Sequence, residues 1–257
     1  MPTIHHLNAG TLVVPGYPTV VCHCLAVHDA GRTVLIDSGI GLLDGLDPDG
    51  RLGRGLVEAA GFRFNARDTA YQRLVSLGID PESVSDIVLT HADPDHAGGL
   101  ADFPTARVHV SAEEHARVTA GHPRYAPRLF NHGPSWRTYA GAGVDWFGLP
   151  AARVDVPIPT AVLLVELPGH TAGHRGVAVE SGGRWVLHAG DAYYLRAELT
   201  DAHHPVSAFA ASRADDDDAR VTSLGHLRRL AADHADAVSM FGYHDITELP
   251  RGCIDWE

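Results

Sequence analysis

Four side chains that commonly bind metal ions lie close together at positions 91–96 of the sequence. They belong to the segment Leu89-Thr90-His91-Ala92-Asp93-Pro94-Asp95-His96-Ala97-Gly98-Gly99, which follows an apolar run that predicts a buried strand over 85–89. The glycines after the cluster predict a turn. A strand end that delivers imidazoles and carboxylates into a loop holds them close together. The segment therefore predicts one half of a metal site on an α/β scaffold.

The same order of features recurs three times later in the chain. His170 follows the apolar run 161–167, Asp191 follows 184–189, and His244 follows 237–241. Strands that lie side by side in sheets bring such ends to one edge. We therefore expect these three side chains to meet the first cluster and to complete its site.

The wider pattern runs strands, helices, strands, helix, which favours two sheets covered by helices over a single doubly wound sheet. The pattern predicts strands over 11–14, 19–28, 33–37, 85–89, 107–110, 154–156, 161–167, 175–180, 184–189 and 237–241. It predicts helices over 67–77 and 219–234. Ser111 and Glu114 form a capping-box pattern that opens a further helix. Residues 39–55 and 121–150 are predicted as loops.

In this order and spacing the segments resemble the metallo-β-lactamase superfamily, in particular its lactonase-like branch with the acyl-homoserine lactone hydrolases. The resemblance covers nearly the whole chain. It is carried by the strand and turn at 34–39, the His-x-Asp-x-Asp-His cluster, the Pro-Gly-His-Thr turn, the Ala-Gly-Asp turn and the C-terminal histidine. The resemblance implies an α/β fold, the αβ/βα sandwich of two mixed β-sheets flanked by helices, in a single domain over 1–257.

The resemblance also implies a binuclear metal centre. Its first site would comprise His91, Asp93 and His170, its second site Asp95, His96 and His244, and Asp191 would bridge the two. The implied cofactors are two divalent metal ions, with Zn first and Fe or Mn as alternatives. A metal-bound hydroxide would then open a lactone or cleave an ester or thioester.

Asp93 departs from the family pattern, which usually has a second histidine at this position. Two interpretations are open. Asp93 is a good helix N-cap, and Pro94 suits the first helical position. Alternatively, its carboxylate binds a metal ion directly and shifts the site toward a harder ion. The two interpretations differ in the identity and occupancy of the first metal, and they leave the fold unchanged.

Asp95 and Tyr194 are the candidate catalytic residues. Asp95 would orient the bridging water and pass its proton to the leaving group. Tyr194 follows Asp191 at the offset where lactone-hydrolysing relatives place a tyrosine that donates to the substrate carbonyl. The alternative for Tyr194 is an ordinary buried tyrosine.

An aromatic segment at 121–150 contains Trp136, Trp146 and Phe147 without a clear period. Long structured loops are usually functional, so we expect this segment to lie near the active site and its aromatic rings to line an acyl or ring pocket. The alternative is a packed excursion over the core.

Composition limits the class of partner. The net charge of −12 argues against nucleic acid, and the 20 basic residues are all arginines, which excludes Schiff-base lysine chemistry. No apolar run reaches the roughly 18 residues of a membrane span, and no signal peptide is visible. Cys22 and Cys24 fit a structural strand, and the odd count of three cysteines favours a reducing compartment. We expect a cytoplasmic protein with a small-molecule substrate, and a homodimer remains open.

Two other functions remain open at this point. An iron-dependent oxidase or dioxygenase on the same fold gains support from Asp93. A non-catalytic metal-binding protein is the alternative from a different class. Composition and spacing leave the substrate open, because specificity depends on loops.

Overall fold

Two mixed β-sheets form the centre of the computed structural model, which describes residues 1–251 and 253; the rest of the predicted 1–257 domain lies outside the described residues. The strands of the first sheet are β1 (Thr3–Leu12), β2 (Val20–Asp29), β3 (Arg32–Ile36), β4 (Phe62–Arg63), β5 (Val84–Val88), β6 (Arg107–Ser111) and β7 (Ser135–Tyr139). Their order across the sheet is β4-β1-β2-β3-β5-β6-β7. Strands β3, β5, β6 and β7 run parallel, and the others pair antiparallel.

The strands of the second sheet are β8 (Val144–Trp146), β9 (Leu149–Arg153), β10 (Val162–Glu166), β11 (Arg175–Ser181), β12 (Arg184–His188) and β13 (Val238–Phe241). Their order is β13-β12-β11-β10-β9-β8, and only the β12–β13 pair among them is parallel. The α-helices of the described residues are α1 (Leu42–Leu46), α2 (Pro48–Arg51), α3 (Arg54–Ala60), α4 (Ala70–Ser76), α5 (Pro94–Ala97), α6 (Ala112–Thr119), α7 (Val206–Arg213) and α8 (Asp217–Asp233). The predicted αβ/βα sandwich is confirmed.

Three apolar layers hold the sandwich together. Between the sheets, side chains such as Leu25 and Val27 of β2 pack with Leu164 and Val177 of the second sheet. The opposite faces pack against helices, with Leu74 of α4 under the first sheet in one layer. Leu224, Leu227 and Leu230 of α8 pack under the second sheet in another. Successive side chains of a strand point to opposite faces of its sheet, so they pack into different layers.

The strand ends converge on one edge of the sandwich. Parallel pairing of β3 with β5 places Asp37 beside the loop that follows Val88, and Asp37 N donates to Val88 O at 3.0 Å. The chain after β13 crosses to the first sheet, where Val21 N donates to His244 O at 3.3 Å and His23 N donates to Tyr243 O at 3.0 Å. These backbone bonds tie the two sheets together at the edge where the candidate ligands lie.

Four local predictions are wrong. The strand predicted over 154–156 is not formed, because β9 ends at Arg153 and the next strand, β10, begins at Val162. Strand β1 begins at Thr3, earlier than predicted, because its polar residues His5, His6 and Asn8 still pair with β2. The segment 39–55 contains α1 and α2, and the segment 121–150 contains β7 and β8 and the start of β9. In these segments the elements are short or lie at sheet edges, so they lack the apolar period on which prediction depends. No helix among the described residues is long and apolar enough to cross a membrane.

Candidate metal centre

Two groups of three potential ligands meet at the strand ends. One group contains His91, His170 and Asp191, the other contains Asp95, His96 and His244, and within each group the ligand atoms lie within 4.8 Å of one another. Asp191 faces both groups. Its Oδ2 lies 3.3 Å from His170 Nε2, and its Oδ1 lies 3.3 Å from His96 Nε2. Asp191 therefore lies between the two groups.

Asp37 orients the ring of His96 by binding the ring nitrogen that faces away from Asp191. The Nδ1 atom of His96 lies 2.8 Å from Asp37 Oδ2, and because a carboxylate only accepts, Nδ1 carries the proton. Asp37 is fully buried and also accepts from the amide and hydroxyl of Thr90 at 2.7 and 2.8 Å. The Nε2 atom of His96 therefore points at Asp191 and the site. The turn at 34–39 belongs to the family pattern, but the sequence alone indicates no role for Asp37.

Two further histidines are oriented by backbone carbonyls. His244 Nδ1 donates to Val21 O at 3.0 Å, which leaves Nε2 of His244 free to face Asp191. His174 Nδ1 donates to Leu167 O at 2.7 Å, and its Nε2 accepts from the backbone amide of Asp191 at 3.0 Å. His174 thus holds the backbone of Asp191 in place and belongs to neither ligand group.

The ligand atoms fit a divalent ion. His91 Nε2, His96 Nε2 and Asp191 Oδ1 are buried and have no hydrogen-bond partner among the described residues. Buried polar atoms in folded proteins are rarely left without a partner. Imidazole nitrogens and carboxylate oxygens together suit Zn, Fe or Mn. These orphaned atoms converge where a cation would satisfy them all.

The charges of the centre reinforce this arrangement. Burial by itself would raise the pKa of Asp191, but the neighbouring His244, His96 and His170 outweigh it and hold this pKa well below its usual value. Burial would likewise lower the pKa of His96, yet Asp191 and Asp37 raise it well above its usual value. Asp191 therefore stays ionised at the centre of the imidazole cluster.

Asp93 lies at the start of a helix and beside the first ligand group, but it is not a member of either group. Its backbone starts α5 at the N-cap position, but its side chain makes no capping hydrogen bond. Instead, Asp93 Oδ2 lies 3.2 Å from His170 Nε2 and 3.4 Å from His91 Nε2. Arg124 donates to both of its oxygens, from Nε to Oδ1 and from Nη2 to Oδ2, each at 2.6 Å. The carboxylate of Asp93 thus faces the first ligand group while it is paired with an arginine.

Glu114 joins the two loops that carry His91 and His170. Ser111 caps α6 as predicted, accepting from Glu114 N at 3.1 Å, but the Glu114 side chain does not close the capping box. Its Oε1 accepts from Ala92 N at 2.9 Å and from the Tyr125 hydroxyl at 2.8 Å, and its Oε2 accepts from the Thr171 hydroxyl at 2.6 Å. Local spacing gave no sign of this role, since all three partners are distant in sequence.

A cavity of about 440 Å³ opens onto the centre. Its polar side comprises Asp93, Asp95, Arg124, Asp191, Tyr194 and His244. Its other walls are largely apolar and include Leu12, Tyr17, Phe62, Leu195, Val206 and Phe209. A cavity of this size and lining suits a small molecule with one polar end and one apolar end.

Tyr194 lies at the junction of the polar and apolar walls. Its ring stands edge-on to the rings of His170 and His244, at centroid distances of 5.9 and 5.3 Å. Burial and the nearby carboxylate of Asp191 raise the pKa of Tyr194 well above its usual value, so its hydroxyl remains a donor. The neighbouring Tyr193 differs, because its hydroxyl donates to Glu248 at 3.1 Å.

The predicted aromatic pocket residues lie elsewhere, and this expectation is corrected. Trp136 on β7 packs against His115 and Phe130, at ring distances of 5.2 and 5.7 Å. Trp146 packs against Trp185 in the core of the second sheet, and Phe147 packs against Trp146. None of these three aromatic residues lines the cavity, whereas Arg124 from the same segment does.

Comparison with known proteins identifies the family. Residues 17–236 match the family model of the metallo-beta-lactamase superfamily. A probable metallo-hydrolase of Mycobacterium bovis, Mb2322c, is 43% identical over 203 residues, which cover 76% of this chain but only 64% of the relative. The N-acyl homoserine lactonase AttM of Agrobacterium fabrum is 28% identical over 245 residues, 93% of this chain and 88% of AttM. The chain belongs to the metallo-β-lactamase superfamily.

Solved structures agree on the fold. An N-acyl homoserine lactone hydrolase with the product N-hexanoyl-L-homoserine bound at its catalytic metal center has a TM-score of 0.72 and 19% identity, covering 95% of this chain and 93% of its own. AidC, a dizinc quorum-quenching lactonase, has a TM-score of 0.59 and 20% identity, covering 90% and 74%. At these identities the likeness shows the shared fold alone.

Proposed function

We propose that this protein is a binuclear metal-dependent hydrolase that opens a lactone or cleaves a related ester or thioester. One observation carries the proposal: Asp191 joins two groups of ligands on the floor of a cavity whose far wall is apolar. The lactonase names of AttM and of the solved hydrolases support the choice of a lactone. The mycobacterial relative supports the broader class of metallo-hydrolase.

The proposed metal-holding residues are the seven named from the sequence. His91, Asp93 and His170 would hold one ion, Asp95, His96 and His244 would hold the other, and Asp191 would contact both. Divalent ions at this place, with Zn as first choice, would supply an activated water and would polarise a carbonyl oxygen. The bonds from His96 to Asp37 and from His244 to Val21 O would keep these two Nε2 atoms aimed at the second ion.

Side chains of the protein would bind the substrate, stabilise the developing charge and transfer the proton. The apolar wall of the cavity would bind an acyl chain, and this would place the lactone carbonyl over the polar floor. The Tyr194 hydroxyl would donate a hydrogen bond to the carbonyl oxygen as negative charge develops there. Asp95 would accept a proton from the attacking water and pass it to the leaving oxygen.

An iron-dependent oxidase or dioxygenase is the second candidate function. It is favoured by the carboxylate of Asp93 beside His91 and His170, since two histidines and one carboxylate form a ligand set that suits non-haem iron. Oxygen consumption by iron-loaded protein, without lactone turnover, would favour this candidate over the hydrolase.

A substrate panel tests the hydrolase. Metal-loaded protein is assayed on N-acyl homoserine lactones of increasing chain length, simple lactones, thioesters and β-lactams. We expect turnover of the acyl lactones, and loss of at least about 100-fold in His170→Ala. His203→Ala, a change at an exposed loop histidine, is the control and should retain activity. Full activity in His170→Ala would exclude the proposed centre.

A further inference from the structure

Arg124 makes direct contact with the first ligand group. Its Nη2 atom lies 2.6 Å from Asp93 Oδ2 and 2.7 Å from His170 Nε2. Its Nε atom donates to Asp93 Oδ1 at 2.6 Å, so the guanidinium grips the carboxylate with two parallel bonds. The side chain of Arg124 is only 10% exposed. A permanent cation therefore lies against two atoms that the first metal ion would use.

One of these two contacts excludes a metal ion. A histidine ring nitrogen has a single lone pair, so His170 Nε2 cannot accept from Arg124 and bind an ion at the same time. Asp93 Oδ2 has a further lone pair and could serve both. Arginine also keeps its charge at every relevant pH, so an approaching divalent cation meets electrostatic repulsion at this position.

The second ligand group has no such neighbour. Within the described part of the chain, no arginine forms a hydrogen bond or ion pair with Asp95, His96 or His244. The two groups therefore differ in charge environment although both consist of imidazoles and a carboxylate.

The surroundings of Arg124 provide a place for it to withdraw. Its Nη1 atom donates to Arg213 O at 2.8 Å and lies 3.5 Å from Asp215 Oδ1. A second cavity, of about 560 Å³, borders Arg124 on the side of Tyr125 and Arg213. The guanidinium can therefore leave His170 and keep charged or polar partners.

We propose that Arg124 competes with the metal ion for the first site, so that the two sites of this protein have unequal affinity. The second site fills first, and the first site fills only when Arg124 Nη2 releases His170. This inference rests on the proposed metal centre. It assigns to Arg124 a role in setting metal occupancy, and not a contact with substrate.

Metal binding measured without catalysis tests this inference. Metal-depleted protein is titrated with Zn²⁺ in competition with a chromophoric chelator. We expect one tight and one weaker site in the wild type. Arg124→Gln and Arg124→Met should strengthen the weaker site by about tenfold or more, because they remove a charge-assisted hydrogen bond, and should leave the tight site unchanged. Arg117→Gln is the matched control, since Arg117 pairs with Asp215 at 2.6 Å and contacts none of the proposed ligands.

Each outcome decides the question. Two equal sites in the wild type, or a weaker site that is unchanged or weakened in both Arg124 variants, would overturn the inference, and the wild-type titration requires no variant to fold. Circular dichroism of the Arg124 variants checks that each is folded before titration. Lactone turnover with two equal sites would overturn only the role of Arg124. Failure of the wild type to bind Zn²⁺ would instead overturn the proposed metal centre.

Discussion

Asp37 and His96 form a fully buried pair in which the histidine Nδ1 donates to the carboxylate at 2.8 Å. Asp37 adopts a left-handed backbone conformation, with φ of 55°, directly after β3 ends. This sharp turn carries the carboxylate under the loop of the metal centre. With Nδ1 bound to Asp37, the Nε2 atom of His96 faces Asp191 at 3.3 Å, so we expect the pair to be required for this orientation.

Replacement of Asp37 by asparagine tests that requirement. Asparagine tolerates the left-handed backbone, but its amide group presents donors where Thr90 and His96 also donate. We expect Asp37→Asn to weaken Zn²⁺ binding at the second site by about 10- to 100-fold. Asp86→Asn is the control, because Asp86 makes a similar 2.7 Å contact with His109 in the first sheet. Equal effects on metal binding in the two variants would contradict a specific role for Asp37.

Glu114 offers a test of how the two ligand loops are joined. Glu114→Gln replaces one acceptor oxygen by an amide that faces a donor, and buried donors left unpaired cost about 1–3 kcal/mol. We therefore expect the free energy of unfolding to fall by about that amount in urea denaturation. Glu113→Gln, one residue away, alters a 47% exposed carboxylate that pairs with Arg175 and should change stability little. Similar stability in both variants would contradict the joining role of Glu114.

Tyr194 can be tested against its neighbour. If the Tyr194 hydroxyl donates to the substrate carbonyl, Tyr194→Phe should lower kcat for an acyl lactone by about 10- to 100-fold, with metal content unchanged. Tyr193→Phe should lower stability, because it removes the bond to Glu248, but should retain kcat. An unchanged kcat in Tyr194→Phe would show that Tyr194 is an ordinary buried tyrosine without a catalytic role.

Asp102 predicts a pH dependence of stability outside the metal centre. Its Oδ2 accepts from Leu42 N at 2.8 Å. Burial raises the pKa of Asp102 from 3.8 to about 6, and nearby Asp44 adds to the rise. The folded state therefore holds the proton more tightly than the unfolded chain. The contribution of Asp102 to stability is unfavourable above pH 6, improves as the pH falls through about 6 and levels off near 3.8.

Asp102→Asn removes this penalty. We expect a gain in the free energy of unfolding of about 1–3 kcal/mol at pH 8, which shrinks as the pH falls below 6. Urea denaturation at pH 8 and pH 5 measures the gain. Asp236→Asn, at an exposed position, should show no such pH-dependent gain. A gain for Asp102→Asn that is equal at both pH values would show that the carboxylate does not titrate in this way.

The sequence was most informative where ligands follow apolar strands. The ends of β5, β10, β12 and β13 were predictable because apolar runs mark buried strands, and each run is followed by its ligand. The supporting residues could not be predicted in the same way. Asp37, Glu114 and Arg124 act on partners in other loops, which the chain brings together only through packing of the sheets.

The aromatic residues of the segment 121–150 were assigned wrongly from the sequence. Trp136 lies on β7 at the edge of the first sheet, where three of the five side chains of the strand are exposed and leave no strong apolar period. The same segment contains Arg124, a residue without a sequence pattern of its own. The sequence predicted a functional role for this segment. The structure shows that Arg124 contacts the candidate metal centre and that the tryptophans do not.

Reconstitution of metal-depleted protein with Zn²⁺ tests the central claim most directly. The initial rate of hydrolysis of N-hexanoyl homoserine lactone is followed as the ion is added. The proposed function predicts negligible turnover without metal and a rate that rises to a plateau at two ions per chain. Turnover that is independent of metal, or no lactone hydrolysis at two bound ions, would contradict a binuclear lactone hydrolase.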